Sequence, residues 1–509
     1  MLSKVVTASI VGMQANKVEV EVDVVNGLPA VNIVGLPDMA VKESRDRVRA
    51  AIDNSSMEFP MQRVTVNLSP ADSRKEGTHF DLPIAIATLL STKQVKDKLL
   101  DDMVVIGELS LDGSIMSVNG VLPMILELKS QGYKKMILPM DNYKEAMLVE
   151  GLQFYFATNL NDLVERLNSD IDLVTSDGVL NDENQTLITE DFDEVSGQEN
   201  LKRAMEIVAV GSHNLLIVGP PGSGKTMLTR CLPGILPALS FEESMEVASI
   251  YSTAGLLKHS TNALESRPFR APHHTSSAAA LTGGGRIPRP GEISLSHHGV
   301  LFLDELPEFD KRSLEILRQP MEEGFVTISR SAGTFTFPAN FMMIGAMNPC
   351  PCGYYGFEEK GRACTCAPYQ IQRYVQRISG PLIDRVDLFC EARRLEYEDL
   401  TSTRRMESSS SIRKRIAKAR DFQFDRYGNS GIKNANLNTT QIKKYCVLEA
   451  NAEKLMACAY DRLKLSARAY SRLMKVSRSI ADMELSEKIE EKHLAEALQF
   501  RTTSLFQRS

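Results

Sequence analysis

The chain has 509 residues, 43% hydrophobic and 24% charged, with a formal net charge of −6. That length predicts about three domains with packed cores, and the charge excludes a protein that coats nucleic acid with its whole surface while leaving room for a local basic channel. Apolar stretches such as Leu82 to Leu90 fall far short of the roughly 20 residues of a membrane helix, and eight cysteines without a secretory signal predict a reducing, cytoplasmic setting with no membrane partner.

In chain order, Met1 to Met13 reads as a first strand. Residues 1–168 alternate strand-like runs (Val18 to Val22, Val64 to Leu68) with helical ones (Ala40 to Asn54, Leu82 to Leu90), which predicts an α+β domain. Residues 169–194 are acidic and polar without apolar period, a linker. Residues 195–394 carry an α/β pattern, and residues 395–509 are helical and locally basic. The run Arg413 to Arg420 is either a nucleic-acid-facing surface or a solvated helix face.

The strongest motif is Gly219-Pro220-Pro221-Gly222-Ser223-Gly224-Lys225-Thr226, which fits G-x-x-x-x-G-K-[ST] throughout. The apolar run Leu215 to Val218 before it predicts a buried parallel strand, and Thr226 to Cys231 opens a helix. Strand, glycine loop and helix N-terminus present backbone N–H groups to an anion. Lys225 is expected on the β- and γ-phosphates of ATP, and Thr226 on Mg²⁺.

A second apolar run, Val300 to Leu303, ends in Asp304-Glu305, expected to hold the Mg²⁺ shell and to deprotonate water, respectively. Between the two motifs lies a long insertion with Arg270, His273, His274 and the Gly283-Gly284-Gly285-Arg286 stretch. The paired histidines lack a third ligand at metal spacing. Phe325 to Phe337 alternates around a short turn and predicts a hairpin carrying Arg330. A third run, Phe341 to Ala346, leads to Asn348 at a strand's carboxyl end, where ligands of open α/β sheets sit; a turn role is the alternative. Cys350, Cys352, Cys364 and Cys366 form two C-x-C pairs within 17 residues, a set suited to tetrahedral Zn²⁺, with free thiols as the alternative.

The glycine loop, Asp304-Glu305, Asn348 and Gly380-Pro381-Leu382-Ile383-Asp384-Arg385-Val386-Asp387 resemble the ordered motifs of AAA+ ATPases. Phe269 to Thr275 and Arg289 to Gly299 resemble, more narrowly, the magnesium-chelatase-like ComM/YifB family. The resemblance implies an α/β AAA+ core, a helical lid and an arginine finger at Arg385 that reaches a neighbour's ATP, hence a ring, expected to be a hexamer. It implies a second sensor at Arg468, with Arg472 one turn away as a rival, and part of an adenine pocket at Gly197-Gln198. It also implies pore-facing DNA contacts from Arg270, His273, His274, Arg286 and Arg330.

The N-terminal region resembles the Lon protease fold, yet Asp81 stands near the serine position and Leu122 at the lysine position. Without nucleophile and amine base, peptide hydrolysis is not expected. The ComM/YifB resemblance implies an ATP-driven motor on single-stranded or branched DNA, with helicase or branch-migration activity in recombination of incoming DNA. The rival is a protein-remodelling or chelatase-type subunit that uses ATP on a protein partner.

Overall fold

The computed structural model describes residues 2–96, 100, 102–169, 190–257, 266–285, 288–330, 333–357, 363–394, 406–428 and 431–501. Two compact units divide the chain. The first comprises Met1–Gln185, Ser244–Leu264 and Ser331–Phe335, and the second takes the remainder. The expected linker lies for the most part outside the described residues. No helix among those described is long and apolar enough to cross a membrane.

The first unit is built on a seven-stranded mixed sheet. Its strands are β1 (Leu2–Val11), β2 (Gln14–Val25), β3 (Ala30–Val34), β4 (Arg63–Ser69), β5 (Met103–Val105), β6 (Lys135–Pro139) and β7 (Gln153–Ala157), in the order β3-β4-β2-β1-β5-β6-β7. In β2 the valines at 18, 20 and 22 are buried, as alternation requires of a strand with one covered face. The helix Asp81–Ser91 is buried at every residue, which explains its continuous apolar sequence. Its first residue, Asp81, has no exposed surface and receives Arg47 Nε at 2.7 Å and Nη2 at 3.0 Å. Leu122 is equally buried, and its N–H donates to Glu145 Oε1 at 3.1 Å.

An unexpected member of this unit is the stretch from Ser244. The helix Phe241–Ala254 is continuous, but its Ser244-onward part is held by first-unit groups. Ser252 Oγ donates to the buried Glu145 carboxylate, and the Gly120 N–H donates to Ser252 O at 2.9 Å.

The second unit carries a five-stranded sheet of β8 (Leu215–Val218), β9 (Phe269–Arg270), β10 (Val300–Leu303), β11 (Met342–Met347) and β12 (Leu388–Glu391). Their order is β9-β10-β11-β8-β12, and every pair is parallel. All of β8, β10 and β11 is buried, so these strands read as unbroken apolar runs. Phe325–Arg330 and Gly333–Pro338 pair as a separate ribbon, the expected hairpin.

From Ser409 the described chain is helical, and its apolar faces share one core with the central sheet: Ile412, Ile416, Met474 and Ile480 cluster with Leu215, Leu228 and Ile344. A buried polar network pins the same helices. His213 Nε2 lies 2.7 Å from Ser479 Oγ, Asn434 Nδ2 donates to Ser479 Oγ and Asp482 Oδ2, and the fully buried Arg478 donates to Asp482. The basic run is neither a free surface nor simply solvated. Arg413 donates to Gly234 O, Arg415 pairs with Glu206, and Arg420 donates to Ala209 O and Ser212 Oγ.

Candidate active site

Strand β8 delivers the loop Gly219 to Thr226 at its carboxyl end, and the helix Lys225–Ile235 follows at once. Gly222 (φ +76°) and Gly224 (φ +80°) are left-handed, and a Cβ on either meets nothing within 4 Å. Backbone conformation, not crowding, therefore calls for glycine there. Lys225 is buried, and its Nζ donates to Gly219 O at 2.8 Å and Pro220 O at 2.9 Å. Burial lowers this ammonium to about 8, with Asp304 and Glu305 pulling it back up. A half-desolvated cation held by neutral oxygens, beside a helix N-terminus, is well matched to a phosphate.

Three further groups converge on the loop. Thr226 Oγ1 donates to Asp304 Oδ2 at 2.7 Å, so the ends of β8 and β10 meet through two hard oxygen donors, the kind Mg²⁺ takes. Asn348, just past β11, places Oδ1 3.4 Å from Lys225 Nζ. Gln198, left-handed at φ +58°, donates from Nε2 to Ser223 O at 2.9 Å and to Arg393 O. Gly197 precedes it, also left-handed at φ +63°.

Glu305 is left-handed at φ +50°, and its carboxylate is 55% exposed. His274 Nδ1 stands 3.4 Å from Glu305 Oε2, with its ring edge-on to Phe309 and tilted over His273. The structure thus brings His274 to the catalytic candidate. His273, exposed, bonds to Thr275 Oγ1 at 2.8 Å. Arg270 is held by Glu292 through Nε at 2.7 Å and Nη2 at 2.8 Å. Arg330 is exposed at the end of its strand, and Arg286 lies outside the described residues.

Arg385 occupies the other end of the sheet. It precedes β12, and its carbonyl accepts from Asn214 Nδ2 at 3.0 Å, just before β8 begins. The amino ends of the strands hold Arg385, whereas the carboxyl ends hold Lys225, Asp304 and Asn348. Arg385 Nη1 donates to Pro381 O at 2.6 Å, and its other terminal nitrogen pairs with Glu322. Arg468 and Arg472 gather at the same end, each 3.9 Å from an Asp384 oxygen. Arg468 is 66% exposed, while Arg472 is more buried and donates to Val386 O at 2.5 Å. A cavity of about 610 Å³ opens beside Arg385 and Arg472, lined also by Asn214 and Arg420.

The four expected cysteines come together. Their sulfurs all lie within 4.8 Å of one another, with Cys350–Cys352 at 3.3 Å, Cys350–Cys364 at 3.7 Å and Cys352–Cys364 at 3.6 Å. A Zn–S length of about 2.3 Å implies S···S edges of about 3.8 Å in a tetrahedron. The thiols are therefore spaced as metal ligands, and none is in a disulfide.

Two contacts had no sequence signal: His274 on Glu305, and Gln198 on Ser223. Both join residues far apart in the chain whose types are common on any surface.

The magnesium chelatase, subunit ChlI, family model matches residues 191–400, and the model for its C-terminal part matches residues 406–501. A further model, subunit ChlI of Mg-chelatase, matches residues 20–142. The chain is 43% identical to competence protein ComM of Haemophilus influenzae over 98% of its own length and 97% of that protein. It is 42% identical to the uncharacterized protein YifB of Escherichia coli, again over 98% and 97%. Likeness to the magnesium-chelatase 38 kDa subunit of Cereibacter sphaeroides is 25% identity over 31% of this chain and 52% of that one. With a parallel sheet that carries a phosphate loop, a paired Thr226–Asp304 and a full-length match of this kind, the chain belongs to the ComM/YifB family of magnesium-chelatase-like AAA+ ATPases.

Proposed function

We propose that the chain is an ATP-hydrolysing subunit of a ring, expected to be a hexamer, that moves along single-stranded or branched DNA. The observation that carries the catalytic part is the division of the sheet. Phosphate loop and carboxylates stand at one end, and Arg385 stands at the other. A chain so built completes its site only with a neighbour.

Lys225 neutralises the β- and γ-phosphate oxygens. Thr226 and Asp304 hold Mg²⁺, which when bound draws charge off the phosphates. Glu305 takes the proton of the attacking water, His274 steadies its carboxylate, and Asn348 orients the water from beside Lys225. Gly197 and Gln198 border the adenine through the anchor on Ser223. Arg385 of one subunit meets charge developing on its neighbour's transferring phosphoryl group. Arg468 is read as the second sensor with Arg472 as its rival, and both stand 3.9 Å from an Asp384 oxygen, at the same end of the sheet as Arg385. The helices from Ser409 form the lid.

DNA as substrate is supported by the full-length likeness to a competence protein. Arg330 and His273 are both exposed and are read as DNA contacts, whereas Arg270 pairs with Glu292. The first unit is read as an inactive Lon-like domain for assembly or DNA binding, since Asp81 is buried on Arg47 and Leu122, also buried, offers no amine. Steady-state ATPase is expected to rise severalfold with forked or single-stranded DNA. Because each displaced phosphate counterion adds to the slope, that stimulation should fall steeply with salt. Turnover indifferent to every DNA overturns this reading in favour of the other. The magnesium-chelatase family matches support that second reading, a subunit reshaping a protein partner.

The four thiolates are assigned one Zn²⁺. Metal analysis of protein purified without chelators should give about one zinc per chain. No zinc after zinc-supplemented purification removes the assignment.

A further inference from the structure

The cysteine cluster is not an isolated brace. Cys350 follows Asn348 by two residues, and the Cys350–Gly353 turn closes with the Gly353 N–H on Cys350 O at 3.0 Å. Gly353 is left-handed at φ +88°, and a Cβ there would sit 2.6 Å from Pro221 Cδ. The turn that carries the first cysteine pair therefore packs, through Gly353, on Pro221 of the phosphate loop. On the strand side, the Gly219 N–H donates to Met347 O at 3.2 Å, and Asn348 Oδ1 lies 3.4 Å from Lys225 Nζ.

The second pair leads elsewhere. Cys364 and Cys366 precede the helix Pro368–Val375, whose buried Tyr374 lies under Arg377. Arg377 Nη1 donates to Glu308 Oε2 at 2.7 Å and to Pro307 O at 3.2 Å, and the Glu308 N–H donates to Glu305 O at 2.7 Å. One pair of thiols thus belongs to the wall that carries Pro221 and Asn348, and the other to the wall that carries Glu305. An ion held by all four sulfurs would tie these two walls together.

We propose that metal occupancy of Cys350, Cys352, Cys364 and Cys366 gates hydrolysis at the adjoining phosphate loop, a proposal that rests on the zinc assignment and the ATPase reading above. With the ion in place, the Cys350–Gly353 turn holds Pro221, and Asn348 stays on Lys225. Without it, the two walls separate and turnover falls, while the Lys225 loop, supported by its own backbone carbonyls, still takes nucleotide. The cluster is then a metal-responsive control on the motor.

The test uses the full-length protein. Zinc is stripped with a chelator, the chelator is removed, and Mg²⁺ is restored. Bound zinc, affinity for a fluorescent ATP analogue and single-turnover hydrolysis are then measured, before and after stoichiometric zinc is returned. Stripping is expected to slow hydrolysis about tenfold or more, the scale on which groups behind a reacting shell act. Analogue affinity should be little changed, and returned zinc should recover the rate. Cys364→Ser/Cys366→Ser, altered in the pair away from the phosphate loop, should match the stripped protein and not respond to zinc. Cobalt reconstitution reads the site independently of activity, because four thiolates give intense sulfur-to-cobalt absorption. Absence of that absorption overturns the metal site itself. Full absorption with unchanged hydrolysis in the stripped protein overturns the gate and leaves the metal site standing. Loss of nucleotide affinity together with hydrolysis also overturns the gate, because the cluster then acts as general scaffold. Absence of hydrolysis in the zinc-replete wild type overturns the ATPase reading instead.

Discussion

Glu305→Gln is expected to bind ATP at near wild-type affinity and to lose turnover by about 10²–10⁴-fold, the usual scale of a general base. The substitution keeps the length of the side chain and its place after β10, so the Thr226–Asp304 pair at 2.7 Å is left intact. What is lost is the ability to accept a proton. His274, 3.4 Å from the carboxylate, then faces an amide. Lys225→Ala separates binding from chemistry from the other side. It removes the cation from the loop, and triphosphate affinity itself should collapse. Equilibrium binding of a fluorescent analogue beside steady-state turnover distinguishes the two variants. Unchanged turnover in Glu305→Gln removes it from the role of base.

Arg385→Ala should lose turnover by about 10³–10⁵-fold, as arginine fingers do in related phosphoryl transfers, with ATP binding on its own loop preserved. Geometry argues for action between subunits. Asn214 Nδ2 bonds the Arg385 carbonyl at the amino end of β8, and the whole strand separates that point from Gly219. The decisive measurement is mixing. Arg385→Ala subunits retain an intact loop, and Lys225→Ala subunits retain an intact finger. Each preparation alone should be inactive, whereas co-assembled rings should regain part of the rate at interfaces that pair the two intact halves. No recovery in assemblies shown to contain both chains overturns the trans assignment.

Much of this site was legible because its chemistry is local in sequence. The loop Gly219 to Thr226 is contiguous, and Asp304-Glu305 and Asn348 each close a short apolar run that, paired with that loop, reads as a buried parallel strand. The helices Met39–Asn54 and Asp81–Ser91 likewise fell where their apolar patterns place them. The four cysteines were legible through crowding alone. Contacts that depend on tertiary placement were not. No local pattern tells that Ser252 will seat on Glu145 in the first unit, because a half-polar helix reads the same in either setting. The run Arg413 to Arg420 read as a nucleic-acid-facing or solvated face since charge is ordinarily solvated, yet Arg413 and Arg420 donate to the carbonyls of the buried Gly234 and Ala209. The pairing of Arg270, expected as a DNA contact, with Glu292 was not legible because Glu292 stands on a different element.

The strand order β9-β10-β11-β8-β12 also constrains how the protein is made. Leu215 on β8 pairs with Ile344 on one side and Leu388 on the other. During synthesis, the strand that carries the phosphate loop therefore emerges long before either neighbour exists. Non-local parallel pairing of this kind is slow and leaves apolar edges unpaired while the chain grows. The second unit can close its sheet only after Glu391 has left the ribosome. Until then Leu215 to Val218, buried in the finished protein, form a naked edge. Nascent chains halted between Ile235 and Leu388 are accordingly the species that would call on chaperones or aggregate, whatever the stability of the completed fold.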